Sequence, residues 1–460
     1  MTVPKTYDLA VIGAGSGGMA AAKRAAGRGL RVAIFETARA GGTCVNAGCV
    51  PKKLMVHAAR VADTLGEMEG LGWSGGATFD WARLRDAVAD ELTRLSGRHA
   101  SKLRDAGIDL FETHARIVGP HGIAGEDGIR IEAGTILLAT GAQPILPDIP
   151  GIEHAITSDD LFTLPALPAR MAIVGGGYIA VEFASMLARF GVAVTLFERG
   201  GRLIKPFDGE IAGMLAKSLR DGGVDVRLGQ SVDAIARDGD ALRLSGPDGA
   251  KEDAPYGAVL MAVGRAPNTE GLGLDAAGVR TTEAGHILVD DEGRSSVPSI
   301  RAVGDVCERV ALTPVAVRGA RRVADLLTGE ADPLPRPDTV PTAAFTTPEC
   351  ASVGLTEAQA REGGWAVRVE RARFRPLAAL LSGRGTDVFM KAVIDVETDR
   401  MLGFHFFGPH ASEAAQMGAM ALEAGLTAHQ LARTMPLHPS VAEEVIGLGA
   451  WEPPARRAAA

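Results

Sequence analysis

The chain has 460 residues, 46% of them hydrophobic and 23% charged, with a formal net charge of −8. That length accommodates about two to four domains with buried cores. It carries no basic stripe of the kind nucleic-acid binding needs, and no apolar run approaches the roughly 18 residues of a spanning helix.

A soluble, cytoplasmic protein is therefore expected, with neither nucleic acid nor membrane as partner. The short apolar run before Gly13 reads as a first strand, not as a signal peptide. The four cysteines are too few for a disulfide framework in a chain this long. Cys307 and Cys350 stand alone and read as small buried hydrophobes. Cys44 and Cys49 form a Cys-x4-Cys pair without the second close pair of a structural zinc site, so no metal is expected.

In chain order, Tyr7-Asp-Leu-Ala-Val-Ile12 is a β-rich run that enters Gly13-Ala14-Gly15-Ser16-Gly17-Gly18. A helical Ala- and Arg-rich stretch follows, then Arg31-Val32-Ala33-Ile34-Phe35-Glu36. Strand, glycine turn, helix and acid-ended strand make a dinucleotide-binding unit. Its glycines allow the tight turn, the approach of pyrophosphate and close helix packing. The helix N-terminus points its free N–H groups at the phosphates. Glu36, 23 positions after Gly13, suits a ribose hydroxyl. The dithiol segment Gly42-Thr43-Cys44-Val45-Asn46-Ala47-Gly48-Cys49-Val50-Pro51-Lys52-Lys53 comes next. Residues 54–117 read as mostly helical, with an apolar spine at Leu92, Leu95 and Leu103. Thr135-Ile136-Leu137-Leu138-Ala139-Thr140-Gly141 is a buried-type strand ending in a turn, and Pro144, Pro147 and Pro150 mark a linker.

The unit then repeats. Met171-Ala172-Ile173-Val174 leads into Gly175-Gly176-Gly177-Tyr178-Ile179-Ala180, and Glu198 again lies 23 positions after the first glycine. Two such units with a dithiol between them suggest a relay, with a resident flavin at one site and a visiting nicotinamide at the other. A strand and turn at Ala258–Arg265 closes the second unit. At Val303-Gly304-Asp305 a carboxylate follows a β-run; it suits a cofactor hydroxyl, and Gly-Asp equally suits an ordinary strand-end turn. Residues 331–342 are proline-rich. Beyond them Val388–Ile394 and Met401–Phe407 read as strands of an antiparallel sheet, with helices at 411–425 and 440–448.

These pieces resemble the flavoprotein pyridine nucleotide-disulfide oxidoreductases, end to end. The motifs that carry the resemblance are the dithiol segment, Ala139-Thr140-Gly141, Gly177-Tyr178-Ile179-Ala180-Val181-Glu182, Gly264-Arg265-Ala266-Pro267-Asn268, Gly304-Asp305, Leu312-Thr313-Pro314-Val315-Ala316 and His438-Pro439-Ser440-Val441-Ala442-Glu443-Glu444. Pro51-Lys52-Lys53 and the Leu312–Ala316 segment point to the glutathione and trypanothione reductase branch. The resemblance implies an α/β fold: two Rossmann-like domains, for FAD and NAD(P), and a C-terminal α+β dimerisation domain. The expected divisions are 1–147 and 266–335 for the FAD and central domain, 148–265 for the NAD(P)H domain and 336–460 for the interface domain.

By the same resemblance Cys49 is the flavin-facing thiolate and Cys44 the thiol that attacks substrate. Lys52, beside the flavin, pairs with Glu182. His438 and Glu443 are an acid–base pair reaching the site from the other subunit of a homodimer. The expected cofactor residues are Gly13, Gly15, Ser16, Gly18, Glu36, Thr43, Cys44, Lys53, Thr140, Gly141, Gly304, Asp305 and Thr313. For the nicotinamide nucleotide they are Gly175, Gly177, Tyr178, Ile179, Glu198, Arg199, Lys205 and Gly264. Tyr178 resembles the ring that covers the nicotinamide pocket.

The substrate side departs from the family pattern. Lys23 stands where some members carry an arginine, which keeps the charge and loses the bidentate fork. His99 replaces a tyrosine, and Arg318 is an added cation. With Ser16, Arg321 and His438 they form the expected substrate set. An anionic or zwitterionic small disulfide is expected, glutathione disulfide first; the alternative is another small-thiol disulfide with a heterocyclic part. Glu198 suits NADH, whereas Arg199, Lys205 and Arg202 suit the 2′-phosphate of NADPH, which is favoured narrowly. A lipoamide dehydrogenase-like enzyme and a non-catalytic redox sensor are rival classes. Pro51-Lys52-Lys53 argues against the first, and the retained cysteines and His438–Glu443 pair argue against the second. The tail, Trp451-Glu452-Pro453-Pro454 and onward, lacks the cysteine pair of mercuric-ion or large thioredoxin reductases.

Overall fold

The computed structural model describes residues 5–249, 254–307, 310–329, 331, 333 and 336–449. The tail from Trp451, which carries no cysteine, lies outside them.

The first sheet is built on the strand Lys5–Ile12. It pairs in parallel with Val32–Phe35 on one side and Arg130–Leu138 on the other. Its side chains alternate between two cores, as a strand's period of two requires. Leu9 and Val11 pack with Ala22 and Leu103, while Ala10 and Ile12 pack with Ile136 and Ile300. Asp109–Phe111 extends one edge. Gly122–Gly125 and Ala115–Ile117 extend the other in antiparallel fashion. The late strand Ile300–Ala302 returns to lie parallel to Arg130–Leu138, which brings Gly304 and Asp305 to the end of the sheet where the first glycine turn sits.

The second sheet is parallel, ordered Asp225–Leu228, Ala193–Glu198, Arg170–Val174, Ala258–Met261. The two glycine turns are built alike. Gly13 has φ 103° and Gly175 φ 126°. A Cβ on Gly13 would lie 2.4 Å from the Ala139 carbonyl oxygen, and one on Gly175 2.3 Å from that of Ala262. In both, backbone conformation and space admit only glycine.

Residues 54–117 are less helical than their sequence suggests. Cys49–Glu67 and Trp81–Asp105 are long helices, but Gly107 takes φ 72° and the strands Asp109–Phe111 and Ala115–Ile117 follow. Asp80 caps the second helix by accepting from the Arg83 N–H. Trp81, Val88, Leu92, Ser96 and Leu103 form its buried stripe, and His99 falls on that stripe by the 3.6-residue period.

The C-terminal unit is a five-stranded sheet ordered Thr342–Ala344, Glu349–Gly354, Met401–Gly408, Val388–Asp395, Val367–Phe374, antiparallel throughout. Ala411–Glu423 packs on one face, with Met390, Ala392, Phe404 and Phe406. Phe389 and Phe407 on the other face join the core of the second dinucleotide domain. The expected helix at 440–448 is shorter, Glu443–Gly447; before it Ser440 turns its hydroxyl onto the Leu437 carbonyl, so His438 lies on a turn. Cys307 and Cys350 are buried, and burial pushes the Cys350 thiol up to about 12. Among the described residues no helix is long and apolar enough to cross a membrane.

Candidate functional site

The dithiol segment lies against the first nucleotide turn. Gly41 takes φ 120° and Gly42 φ 60°, and a Cβ on Gly42 would fall 2.6 Å from the Gly15 Cα. The Gly41 N–H bonds to the Ala14 carbonyl at 2.8 Å. This close approach sets Cys44, in the short helix Gly42–Asn46, beside Cys49, the first residue of the helix Cys49–Glu67.

Three helices begin at this pair: Ser16–Gly27, Cys49–Glu67 and Thr313–Leu326. Their N-terminal residues Ser16, Cys49 and Thr313 all interact with the Cys44 sulfur. Helix N-termini favour a thiolate. The hydrogen bond from Cys49 is the largest influence, and with those from Thr313 and Ser16 it outweighs burial, lowering Cys44 to about 6. The same shared proton, with burial, drives Cys49 well above the ordinary thiol range, although Lys52 opposes this. The reduced pair thus holds one negative charge at neutral pH, drawn to Cys44 by Ser16 and to Cys49 by Lys52. The family resemblance placed it on Cys49. Alkylation of Cys44 by iodoacetamide in the reduced protein is expected to rise through a midpoint near pH 6 and to level off above it. Quench-and-mass-spectrometry kinetics across pH would show a midpoint above 8 if the pairing did not lower this thiol.

Lys52, one turn into the same helix, is held at 2.8 Å by the Glu182 carboxylate. The Glu182 oxygen that takes Lys52 also accepts the Phe345 N–H at 2.7 Å. The Lys52 ammonium lies 4.2 Å from the centroid of the Phe345 ring. The pair is nearly buried, with side-chain exposures of 12% and 7%. Removing one partner strands the other, so Glu182→Ala is expected to cost about 3 kcal/mol, read as a lower urea midpoint. An unchanged midpoint would show that the pair contributes nothing to the fold.

One cavity of about 2020 Å³ runs from the first glycine turn past the dithiol to the second. Single-ligand pockets are usually about 300–1,000 Å³, so this one has room for two dinucleotides. Its first half fits FAD. Gly13, Gly15 and Ser16 line it with Thr140, Gly141, Gly304 and Asp305. A Cβ on Gly18 would sit 1.9 Å from the Gly13 carbonyl oxygen, which keeps helix and turn in contact. Glu36 is fixed by the N–H groups of Ala14 at 2.8 Å and Ala38 at 3.0 Å. Burial pushes the Asp305 carboxyl up, against the pull of Arg265 and His286. Asn46 donates to the Arg39 and Gly42 carbonyls, and its buried Oδ1 has no partner among the described residues. A cradle shaped by obligatory glycines, with an unpaired acceptor on its wall, suits a polar, hydroxyl-bearing cofactor.

In the second half, Tyr178 bonds Thr342 at 2.7 Å and packs edge-on to Phe207. Gly175, Gly177, Ile179, Glu198, Arg199, Arg202, Lys205 and Gly264 line the cavity. Glu198 is engaged by the Gly200 N–H at 2.6 Å and by Lys205 at 3.8 Å.

Other expected site residues lie elsewhere. Lys53 is absent from the cavity wall: its ammonium lies 3.7 Å from the Phe345 ring centroid and 3.5 Å from Glu349. Thr43 lines the cavity, whereas Lys23, His99, Arg318, Arg321 and His438 do not. Lys23 and His99 gather with Lys102 where their two helices meet. Burial and then Lys102 lower Lys23; burial and then Lys23, Lys102 and Arg98 lower His99. The His99 Nδ1 is buried without a partner among the described residues. Arg318 and Arg321 are exposed on Thr313–Leu326. The His438 Nδ1 meets Glu443 at 2.9 Å, but the histidine side chain is 79% exposed, so one chain does not bring it to the dithiol. Sequence reasoning missed Phe345, Thr342 and Lys102. The first two reach the site from the C-terminal unit, and no local pattern marks them.

Comparison with known proteins matches this geometry. Residues 7–320 fit the family model described as pyridine nucleotide-disulphide oxidoreductase, and residues 340–447 fit its dimerisation domain. The chain is 42% identical to a glutathione reductase of Burkholderia cepacia, over 96% of this chain and 98% of that one. It is 40% identical to a glutathione reductase of Nostoc sp., with the same coverage. To the chloroplastic/mitochondrial glutathione reductase of Pisum sativum it is 39% identical, over 96% of this chain and 82% of the pea protein. With two family models spanning most of its length and a dithiol set between two dinucleotide turns, the chain belongs to the pyridine nucleotide-disulphide oxidoreductase family.

Proposed function

We propose that this protein is a cytoplasmic, homodimeric, FAD-dependent reductase that uses NADPH to convert glutathione disulfide into two molecules of glutathione. The observation that carries the reading is the Cys44–Cys49 pair on the wall of one cavity that joins both dinucleotide turns. The near-full-length likeness to glutathione reductases supports the substrate. Arg199, Arg202 and Lys205 around an already engaged Glu198 support NADPH.

Bound FAD supplies the two-electron link between nicotinamide and the dithiol. Glu36 and Asp305 would hold its ribose and ribityl hydroxyls, and Lys52, steadied by Glu182, would supply a positive charge at the junction. The Cys44 thiolate attacks one sulfur of glutathione disulfide. A mixed disulfide forms and one glutathione thiolate leaves. His438 of the partner subunit protonates it from Nε2, its Nδ1 being committed to Glu443. Cys49 then gives its proton to that histidine, now neutral, and attacks the Cys44 sulfur as a thiolate; the internal disulfide closes and the second glutathione leaves with that proton.

Steady-state assays of the FAD-loaded protein with glutathione disulfide, lipoamide and heterocyclic disulfides, each with NADPH and NADH, test the reading. Efficient turnover is expected for NADPH with glutathione disulfide. Turnover of lipoamide alone would overturn it.

A further inference from the structure

The loop between Glu198 and Asp208 carries Arg199, Arg202 and Lys205. One end continues the strand Ala193–Glu198. The other is held from a different domain. Leu203, Ile204 and Phe207 are buried. Ile204 adopts φ 37° and donates its N–H to the Gly176 carbonyl at 2.7 Å, a conformation a β-branched residue keeps only when its surroundings impose it. Asp208 then caps the helix Gly209–Asp221 by accepting from the Glu210 N–H at 3.0 Å.

The Asp208 carboxylate also receives the Lys391 ammonium, at 3.1 and 2.9 Å. Lys391 comes from the C-terminal strand Val388–Asp395, and the two side chains are only 3% and 4% exposed. The same ammonium meets Glu210 at 2.6 Å and Glu357 at 2.9 Å, and Arg371 bridges those two carboxylates. Arg371, Lys391, His405 and Ser352 are cross-strand neighbours. They form a polar row on the face that otherwise offers Phe389 and Phe407 to the nucleotide domain. His405 is buried between Ser352 and the Leu355 carbonyl. A buried ion pair stabilises a fold no better than well-packed apolar side chains, and its best-attested use is to fix register. Here the register fixed is that of the loop whose Arg199, Arg202 and Lys205 line the cavity.

We propose that Lys391 is a positioning residue for NADPH: through Asp208 it clamps the Arg199–Lys205 loop from the C-terminal domain and so sets the preference for a 2′-phosphate. This rests on the reading of that loop given under the proposed function.

Calorimetric binding of adenosine 2′,5′-bisphosphate and of 5′-AMP to the FAD-loaded protein tests it, together with KM values for NADPH, NADH and glutathione disulfide. In Lys391→Met the bisphosphate is expected to bind about 10- to 100-fold more weakly, the equivalent of one charge-assisted contact, with KM for NADPH rising in step. Binding of 5′-AMP, KM for glutathione disulfide and kcat should stay within about twofold, since the loop's cations do not touch those groups. Asp208→Asn retains a good helix cap and removes the charge by which Lys391 grips the end of the loop, while Glu210 and Glu357 still hold the ammonium. It should shift the same quantities in the same direction, and it decides the matter if Lys391→Met does not fold. Wild-type-like bisphosphate binding in either folded variant, or equal losses for both probes, would overturn the clamp alone. A wild-type protein that binds both probes equally would overturn the NADPH reading and the clamp with it.

Discussion

Cys44→Ser is expected to lower glutathione disulfide turnover on the order of 10⁴-fold or more, as loss of a nucleophile does, while NADPH still bleaches the bound flavin under anaerobic conditions. Attack on a disulfide requires a thiolate. Cys44, lowered to about 6, supplies one at neutral pH, whereas a serine hydroxyl stays protonated. Cys49 cannot substitute, because a lone thiol caught in a mixed disulfide has no second thiol to resolve it. The split between an intact reductive half and a lost oxidative half separates this role from damage to the cofactor site. Parallel loss of both halves would mean that the substitution had disturbed the loop against Gly15.

His438→Ala is expected to cost about 10²- to 10⁴-fold in turnover, the range for a lost general acid. The stronger result concerns mixed dimers. His438 is 79% exposed in its own chain and does not line the cavity that holds Cys44. Beside it Met435 and Leu437 are 88% and 78% exposed, an apolar surface that a subunit interface would cover. On the proposed function each site of the two-fold dimer takes its thiols from one chain and its histidine from the other. Co-refolding equal amounts of Cys44→Ser and His438→Ala chains should therefore restore about a quarter of wild-type turnover, since half the dimers are mixed and each has one complete site. If each site lay within one chain, no mixture would be active.

The residues legible in the sequence are those whose geometry is local. Gly13 and Gly175 are dictated by their own φ and by the carbonyls of Ala139 and Ala262, so spacing alone exposes the two nucleotide turns. Cys44 and Cys49 are readable for the same reason, five positions apart on one folded segment. What stays hidden joins distant stretches. Glu182 finds the Phe345 N–H, Tyr178 finds Thr342 and Asp208 finds Lys391 across domain boundaries, and no periodicity marks such partners. Lys53 shows the opposite error. The family resemblance makes it a cofactor contact, but one helical step turns it onto Glu349 and Phe345. His99 is readable as a departure from the family, yet only the packed helix reveals its buried, unpaired Nδ1.

The most direct measurement uses Cys49→Ser, in which Cys44 keeps a hydrogen-bond donor at position 49 but has no thiol to resolve its mixed disulfide. After incubation with glutathione disulfide, digestion and mass spectrometry should find one glutathionyl group, on the peptide carrying Cys44, released by dithiothreitol. An unmodified Cys44, or an adduct only on Cys307 or Cys350, would contradict the assignment of Cys44 as the thiol that meets the substrate.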